Sequence, residues 1–477
     1  MNQSGLRRTK IVATLGPATD DDAVFSNMIE RGLNVVRLNF SHGTHEEQSE
    51  RFNRVRRIAE EVGETVGILV DLQGPKIRIA KFKEGSIQLG FGDPFILDCD
   101  QAEDDGDQNS IGVTYKELYK EVQVGSELML DDGAIQLKVV DLKGKKIHCE
   151  TLVGGDLSNN KGLNLRGGGL SAGALTAKDK ADIVVASKEK ADFLAISFVR
   201  SAADVEEARK LFFAAGGNGG IVSKIERAEA IENLEEIINA SDGVMIARGD
   251  LGVEIGDEEL PILQKQIINV ARNNDCFTIT ATQMMQSMIT SALPTRAEVM
   301  DVANSIIDGT DAVMLSAETA VGDHPDVVIQ TMDRVCRGAE RQRLMPKKYR
   351  DDRSFQDAEE GIAMGSMYIA NKSDVVAIVS LTESGHTARL MSRISSGIPI
   401  FALSRHPDTA QRVTLLRGVY PLTWDLDLQN RDTLDEQVIR ALRGKMKLNK
   451  RDQVLITCGD MSGVQGHTNT LKIISAD

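Results

Sequence analysis

GIVSKIERAEAIENLEEIINASDGVMIARGDLGVEI, Gly220–Ile255, is the stretch that decides the fold. Two short apolar runs, IVSKIE and GVMIARGD, flank a charged amphipathic segment. The runs are apolar along nearly their whole length, as strands of a parallel sheet covered on both faces are. Each ends in groups that do not belong in a core. Lys224 and Glu226 lie two apart, so on an extended strand they point to one face. Arg248 and Asp250 repeat that spacing at the end of the next run. Two carboxylates and a lysine on adjacent strand ends can hold a hard cation against a phosphorylated anion. Two surface salt bridges would be the plainer reading. It loses ground because apolar residues bound both runs, and unpaired buried charge is too costly to keep without a task.

The same texture extends on both sides. Apolar runs recur at Lys10–Gly16, Val35–Ser41, Gly67–Leu72, Phe193–Val199, Ile221–Glu226, Gly243–Gly249, Thr278–Gln283 and Ala312–Glu318, eight in all. Between them lie stretches such as HEEQSERFNRVRRIAEEVG and TRAEVMDVANSIIDG, with apolar residues at three- and four-residue spacing. Eight βα units predict a (β/α)8 barrel, carried by residues 1–72 and 169–342. Residues 73–168 interrupt the count with Gly- and Asp-rich sequence and short alternating strands. They predict a small β-barrel domain inserted after the third strand, over the face where barrel enzymes do chemistry, hence a lid. After Gln342 a polar connector, RLMPKKYRDDRSF, leads into an α/β domain over residues 343–477. Its expected elements are a helix at Asp357–Asn371, a strand at Val375–Leu381, a helix at Thr387–Ser395 and a strand at Pro399–Ser404.

Composition narrows the partners. The formal charge is −15 over 477 residues and no basic tract offsets it, which argues against nucleic acid or an anionic membrane. Cys99, Cys149, Cys276, Cys336 and Cys458 are odd in number and scattered, without a C-x-x-C pair. Buried thiols in a reducing, cytoplasmic compartment fit better than a disulfide framework or a zinc site. The start, MNQSGLRRTK, has no apolar signal core, and no window approaches a membrane span.

Polar groups at the strand ends form a coherent set. The second run gives Arg37, Asn39 and Ser41; the third gives Asp71 and then Lys76 and Arg78; the seventh gives Thr282 and Gln283; the eighth gives Ser316 and Glu318. Loops are polar anyway, but that does not explain Arg, Lys and two acids at periodic strand ends. The motifs that carry these residues are long and uncommon: KIVATLGPA, VVRLNFSHG, DLQGPKIR, IVSKIERAEAIENL, MIARGDLGVEI, ATQMMQSM, PTRAEVMDVANSIIDGTDAVMLSAETA and ESGHTARLMSR. Through them the chain resembles the pyruvate kinase family along essentially its whole length.

The resemblance implies phosphoryl transfer from phosphoenolpyruvate to ADP, giving pyruvate and ATP. Such chemistry needs positive charge and alignment more than covalent help. By the resemblance, Arg37 and Arg78 clamp the phosphate, Lys224 follows it in flight, and Glu226 and Asp250 hold Mg2+, with Mn2+ as a substitute. Gly249, Asp250 and Thr282 receive the substrate carboxylate. Thr282, Ser316 and Glu318 lie near the path by which the enolate is protonated. Asn39, Arg78 and the lid's Lys161 serve the nucleotide, which brings a second Mg2+. The family's potassium pocket matches Asn39, Ser41, Asp71 and a hydroxyl residue. Here that residue is Leu72, and Lys76 stands where potassium-dependent members carry Glu. The expectation is that the Lys76 ammonium supplies the monovalent charge, so K+ is not required. The plainer reading has Lys76 reaching solvent.

In the last domain Thr382, Glu383, Ser384, Gly385, His386 and Thr387 form a strand–turn–helix loop, suited to an anion. The family uses the matching loop for a phosphorylated effector, and GDMSGVQGHTNT is the expected cover; a capped helix without ligand is the alternative. The resemblance also implies a homotetramer. Other motifs read as structure. RGGGLSAGAL places Gly167, Gly169 and Ala172 in a dinucleotide-like spacing with no strand before it, so it reads as a lid hinge. Met284, Met285, Met288 and Trp424 read as packing, and His42, His45, His148 and His467 as surface or hydrogen-bonded structure. Two other functions compete: a Mg-dependent barrel lyase handling pyruvate enolate, which would form no ATP, and a non-catalytic phosphometabolite sensor, which the intact Lys224, Glu226 and Asp250 argue against.

Overall fold

The computed structural model describes residues 5–170, 173–341, 354–423, 431–459 and 466–477. Eight parallel strands close into a barrel: Lys10–Thr14, Val35–Asn39, Gly67–Asp71, Phe193–Ile196, Gly220–Ile225, Gly243–Ala247, Phe277–Ala281 and Ala312–Leu315. They are numbered first to eighth below. Most residues of these strands are buried, as a sheet walled on one side by helices and filled on the other requires. Alternate residues go to different cores. Val36, Leu38, Ile68 and Val70 pack outward under the helices, while Val12, Val35, Leu69, Ala195, Val222 and Met245 fill the lumen.

The inserted segment has a core of its own, running from Ile77 to Leu170. A six-stranded sheet and a two-stranded ribbon enclose it. Strands such as Ser86–Leu89 alternate exposed and buried residues, so each sheet keeps one wet face. The exit is a run of three left-handed glycines, Gly167, Gly168 and Gly169. Gly167 N–H donates to Glu254 O (2.9 Å), and Arg227 donates to Leu170 O (2.8 Å). Contrary to expectation a short buried strand, Leu163–Leu165, precedes the glycines of RGGGLSAGAL, and Ala172 lies outside the described residues.

The C-terminal unit is a five-stranded sheet ordered Val419–Thr423, Ile400–Ser404, Val375–Leu381, Gln453–Gly459, Thr468–Ser475, the last antiparallel. Its apolar residues Ala363, Met367, Ile378 and Leu415 join the barrel's lumen residues in one continuous core. Buried Asp311 precedes the eighth strand and pairs with Arg393 of this unit. The unit therefore covers the N-terminal mouth, opposite the lid. Cys99, Cys149, Cys276 and Cys336 are buried free thiols, while Cys458 is partly exposed. Trp424 and residues 343–353 of the connector lie outside the described residues.

Candidate active site

Period-two alternation builds the site. Thr14, Arg37, Asp71 and Lys224 each lie two residues beyond a lumen-filling side chain, namely Val12, Val35, Leu69 and Val222. They form the next layer up, at the C-terminal mouth. Ser197 and Glu226 continue the same parity just past the fourth and fifth strands. On the other half of the barrel that layer is Ala247 and Ala281. The charged groups are thus gathered on one side of the mouth.

Contacts among them are short. Arg37 Nε donates to Asp71 Oδ2 at 2.6 Å, and its Nη1 donates to Thr14 Oγ1 at 3.0 Å. Lys224 Nζ lies 2.9 Å from Glu226 Oε1 and 3.3 Å from Asp71 Oδ1. Glu226 Oε2 accepts from Phe198 N–H at 2.8 Å. Burial pushes the Glu226 carboxyl up, Lys224 opposes this, and the Asp250 charge adds to it. Burial would lower the Lys224 ammonium, but Asp71 and Glu226 outweigh it and hold it above its ordinary value. For Asp71 the Lys224 and Arg37 charges outweigh burial and keep it low.

The donor set suits a small divalent ion. The nearby Asp250 charge raises the cost of ionising Glu226, which a dication relieves. In this structure lysines neutralise both: Lys224 sits on Glu226, and Lys76 Nζ sits 2.8 Å from Asp250 Oδ1. Among the described residues no cluster of three or more His, Cys, Asp or Glu makes an all-protein metal cage. One or two carboxylates completed by substrate oxygens is the usual arrangement for magnesium.

Several residues sit differently from the expectation. The sixth strand stops at Ala247, and Arg248–Ile255 is a helix, so Arg248 and Asp250 do not share a strand face. Arg248 turns away to Asp301 and the Ala281 and Thr282 carbonyls, whereas Asp250 stays at the rim in the helix's first turn. Thr282 lies past its strand in a left-handed conformation (φ 69°), and its Oγ1 accepts from Gly249 N–H at 3.0 Å. Ser316 likewise starts a short helix. Buried Glu318 accepts from the Ser316 and Met285 amides and so braces the loops after the seventh and eighth strands. Lys76 does not enter the Asn39, Ser41, Asp71 and Leu72 pocket; it bridges Asp250 and the lid's Asp132 (3.7 Å). Inside that pocket Asn39 Oδ1 accepts from Ser41 N–H, Asp71 pairs with Arg37 and Lys224, and Leu72 is buried.

Arg78 and Lys161 belong to the lid. Arg78 donates to Asn160 O (2.8 Å), and Lys161 pairs with Asp131 (2.8 Å). In the C-terminal loop three donors have partners within the protein. Gly385 N–H donates to Thr382 Oγ1, His386 N–H to Ser384 Oγ, and Thr387 Oγ1 to buried Glu359. Glu383 pairs with Arg405 and His406. The helix His386–Ser392 starts after left-handed Gly385 without a side-chain cap, and residues 460–465 of the loop's expected cover lie outside the described residues. His45 binds Asp182, and Met284, Met285 and Met288 are core. Sequence reading missed Ser197 and Phe198; the available signal was a serine continuing the lumen parity of Ala195.

A (β/α)8 barrel whose mouth sets a buried ammonium and an arginine among acids, beside an inserted β domain, fits a phosphotransferase. The family model for the pyruvate kinase barrel domain matches residues 6–329, and that for the pyruvate kinase alpha/beta domain matches residues 360–474. Pyruvate kinase II of Salmonella typhimurium is 51% identical over 477 residues, covering 99% of both chains. Pyruvate kinase of Haemophilus influenzae is 51% identical over 474 residues, covering 98% of each. That of Corynebacterium glutamicum is 40% identical over 473 residues, covering 98% of this chain and 97% of its own. The chain belongs to the pyruvate kinase family, and its activity is transfer of the phosphoryl group of phosphoenolpyruvate to ADP.

Proposed function

We propose that this activity runs through the Lys224, Glu226 and Asp71 cluster beneath the lid. The observation that supports it most is a buried ammonium within 3.3 Å of two carboxylates, at the mouth of a closed barrel. Glu226 and Asp250 would hold Mg2+, which when bound supplies charge to polarise the phosphate and the enolate oxygen. Lys224 and Arg37 then face the equatorial oxygens of the phosphoryl group, where charge spreads as the bond to the enolate oxygen loosens. Gly249 N–H, on leaving Thr282 Oγ1, receives the substrate carboxylate with Asp250 and Thr282, and Thr282, Ser316 and Glu318 line the path by which the enolate carbon takes a proton. Asn39, Arg78 and Lys161 meet the nucleotide, the last two by closure of the lid, residues 73–168, over the barrel formed by residues 1–72 and 169–342. The Lys76 charge makes added K+ unnecessary. A phosphorylated effector acts through residues 343–477, and four copies assemble in the cytoplasm.

A coupled pyruvate-release assay tests the core of this. Lys224→Met should lower kcat by ~10³-fold or more, as expected for a charge acting mainly in the transition state, and leave phosphoenolpyruvate affinity within a few-fold. Unchanged turnover would remove the assignment. Titration with sugar phosphates and nucleotides tests the effector, and light scattering the tetramer.

A further inference from the structure

The fourth strand ends in a turn that the mechanism above leaves unused. Ser197 is buried, and its hydroxyl donates to Leu72 O at 2.7 Å. Its lone pairs are therefore left to accept, and Lys224 Nζ donates to it at 2.7 Å. The next residue, Phe198, holds a left-handed backbone (φ 56°) that a bulky side chain seldom adopts. That conformation accompanies an N–H aimed at Glu226 Oε2, 2.8 Å away. The Phe198 ring packs under the Arg227 guanidinium at 5.4 Å. One strained turn thus grips both Lys224 and Glu226.

An ammonium has three N–H groups. Lys224 donates one to Ser197 Oγ, and its Nζ also lies within ion-pair distance of Glu226 Oε1 and Asp71 Oδ1. In the proposed reaction Glu226 turns to the divalent ion, while Asp71 already holds Arg37 Nε at 2.6 Å through its other oxygen. Ser197 is the neutral one, and its own proton is committed to the Leu72 carbonyl. We propose that Ser197 is a positioning residue for phosphoryl transfer, holding the Lys224 ammonium at the barrel mouth while its carboxylate partners are engaged and leaving two N–H groups for the migrating phosphoryl oxygens. This rests on the role given to Lys224 above.

The test compares Ser197→Ala in two backgrounds, native and Lys224→Met. In the native background kcat should fall at least ~10-fold, the penalty of a misplaced catalytic group. The dissociation constant for phosphoenolpyruvate, titrated without ADP, should stay within about 3-fold, because the ammonium acts beyond the ground state. In the Lys224→Met background the same change should cost less than about 2-fold, since the group through which Ser197 acts is gone. Equal losses in both backgrounds, or an undiminished kcat in the native one, overturn the proposal. If Ser197→Ala melts early, Ser197→Cys, of similar volume and poor as an acceptor, carries the same comparison. Native turnover in Lys224→Met alone would instead sink the proposed function, so the two failures are distinguishable.

Discussion

Lys224 and Glu226 are two apart in sequence and 2.9 Å apart at their charged ends, so this pair was legible as soon as the strand was. Asp71 and Arg37 were legible for the same reason: parity places both above the lumen layer. Phe198 was not, because nothing in a bulky aromatic announces a left-handed backbone. Nor was the partner of Lys76, since its acid lies 174 residues away on another element. That partner sharpens the potassium question. Burial would lower the Lys76 ammonium, but Asp250 outweighs it and holds it charged. Lys76→Glu would set a new carboxylate beside Asp250 and Asp132. In buffer free of K+ its kcat should fall about tenfold, equivalent to ~1.4 kcal/mol of barrier, and added K+ should restore most of it. The native chain should change less than about 2-fold on the same addition. A native chain that needs K+ would contradict the reading.

At the scale of elements, all eight barrel strands were readable because a doubly covered parallel sheet writes itself as apolar runs. Their ends were read too long. The sixth run passes without a break into a helix at Arg248, and the seventh enters left-handed Thr282 and Gln283, so polar residues assigned to strands belong to the loops above them. Loop three shows how tightly these ends fit. Gly74 is left-handed (φ 67°), and a Cβ there would meet Ser197 Cβ at 2.7 Å and the Phe198 ring at 2.9 Å. Its N–H is held by Asp179 at 3.0 Å, so the loop cannot simply shift outward. Gly74→Ala therefore adds backbone strain of ~1–3 kcal/mol and pushes on the turn that grips Lys224 and Glu226. The expected result is a melting temperature lower by a few degrees together with a loss in kcat of several-fold. A variant with native melting and native turnover would show that the turn tolerates displacement.

At the scale of the whole molecule, the joint between barrel base and C-terminal unit was the least legible part, because its partners are hundreds of residues apart and no local pattern marks them. Lys10 opens the first strand, is buried, donates to Val419 O and lies 4.5 Å from the Tyr420 ring centroid. Burial, with Arg7 adding to it, lowers its ammonium to about 7, against partial opposition from Glu340 and Asp311. An unfolded lysine titrates near 10.5. Between those values the unfolded chain binds more protons than the folded one, so this residue makes stability rise with pH from about 7 upward and leaves it flat below. Buried thiols act oppositely. Burial raises Cys149 and Cys336 to about 12 from 9.0, and Cys276 upward as well, so each lowers stability once the unfolded thiols ionise. The Lys10 effect is thus cleanest between pH 7 and about 8.5, below the unfolded thiol range. Lys10→Met keeps most of the side-chain volume and removes the titration. The melting temperature of the native chain should climb across that window by more than that of Lys10→Met, and the variant should melt no lower than the native chain at pH 7. Parallel slopes for the two chains would mean that Lys10 keeps its proton in the fold, and that the joint holds a charged lysine against the barrel floor.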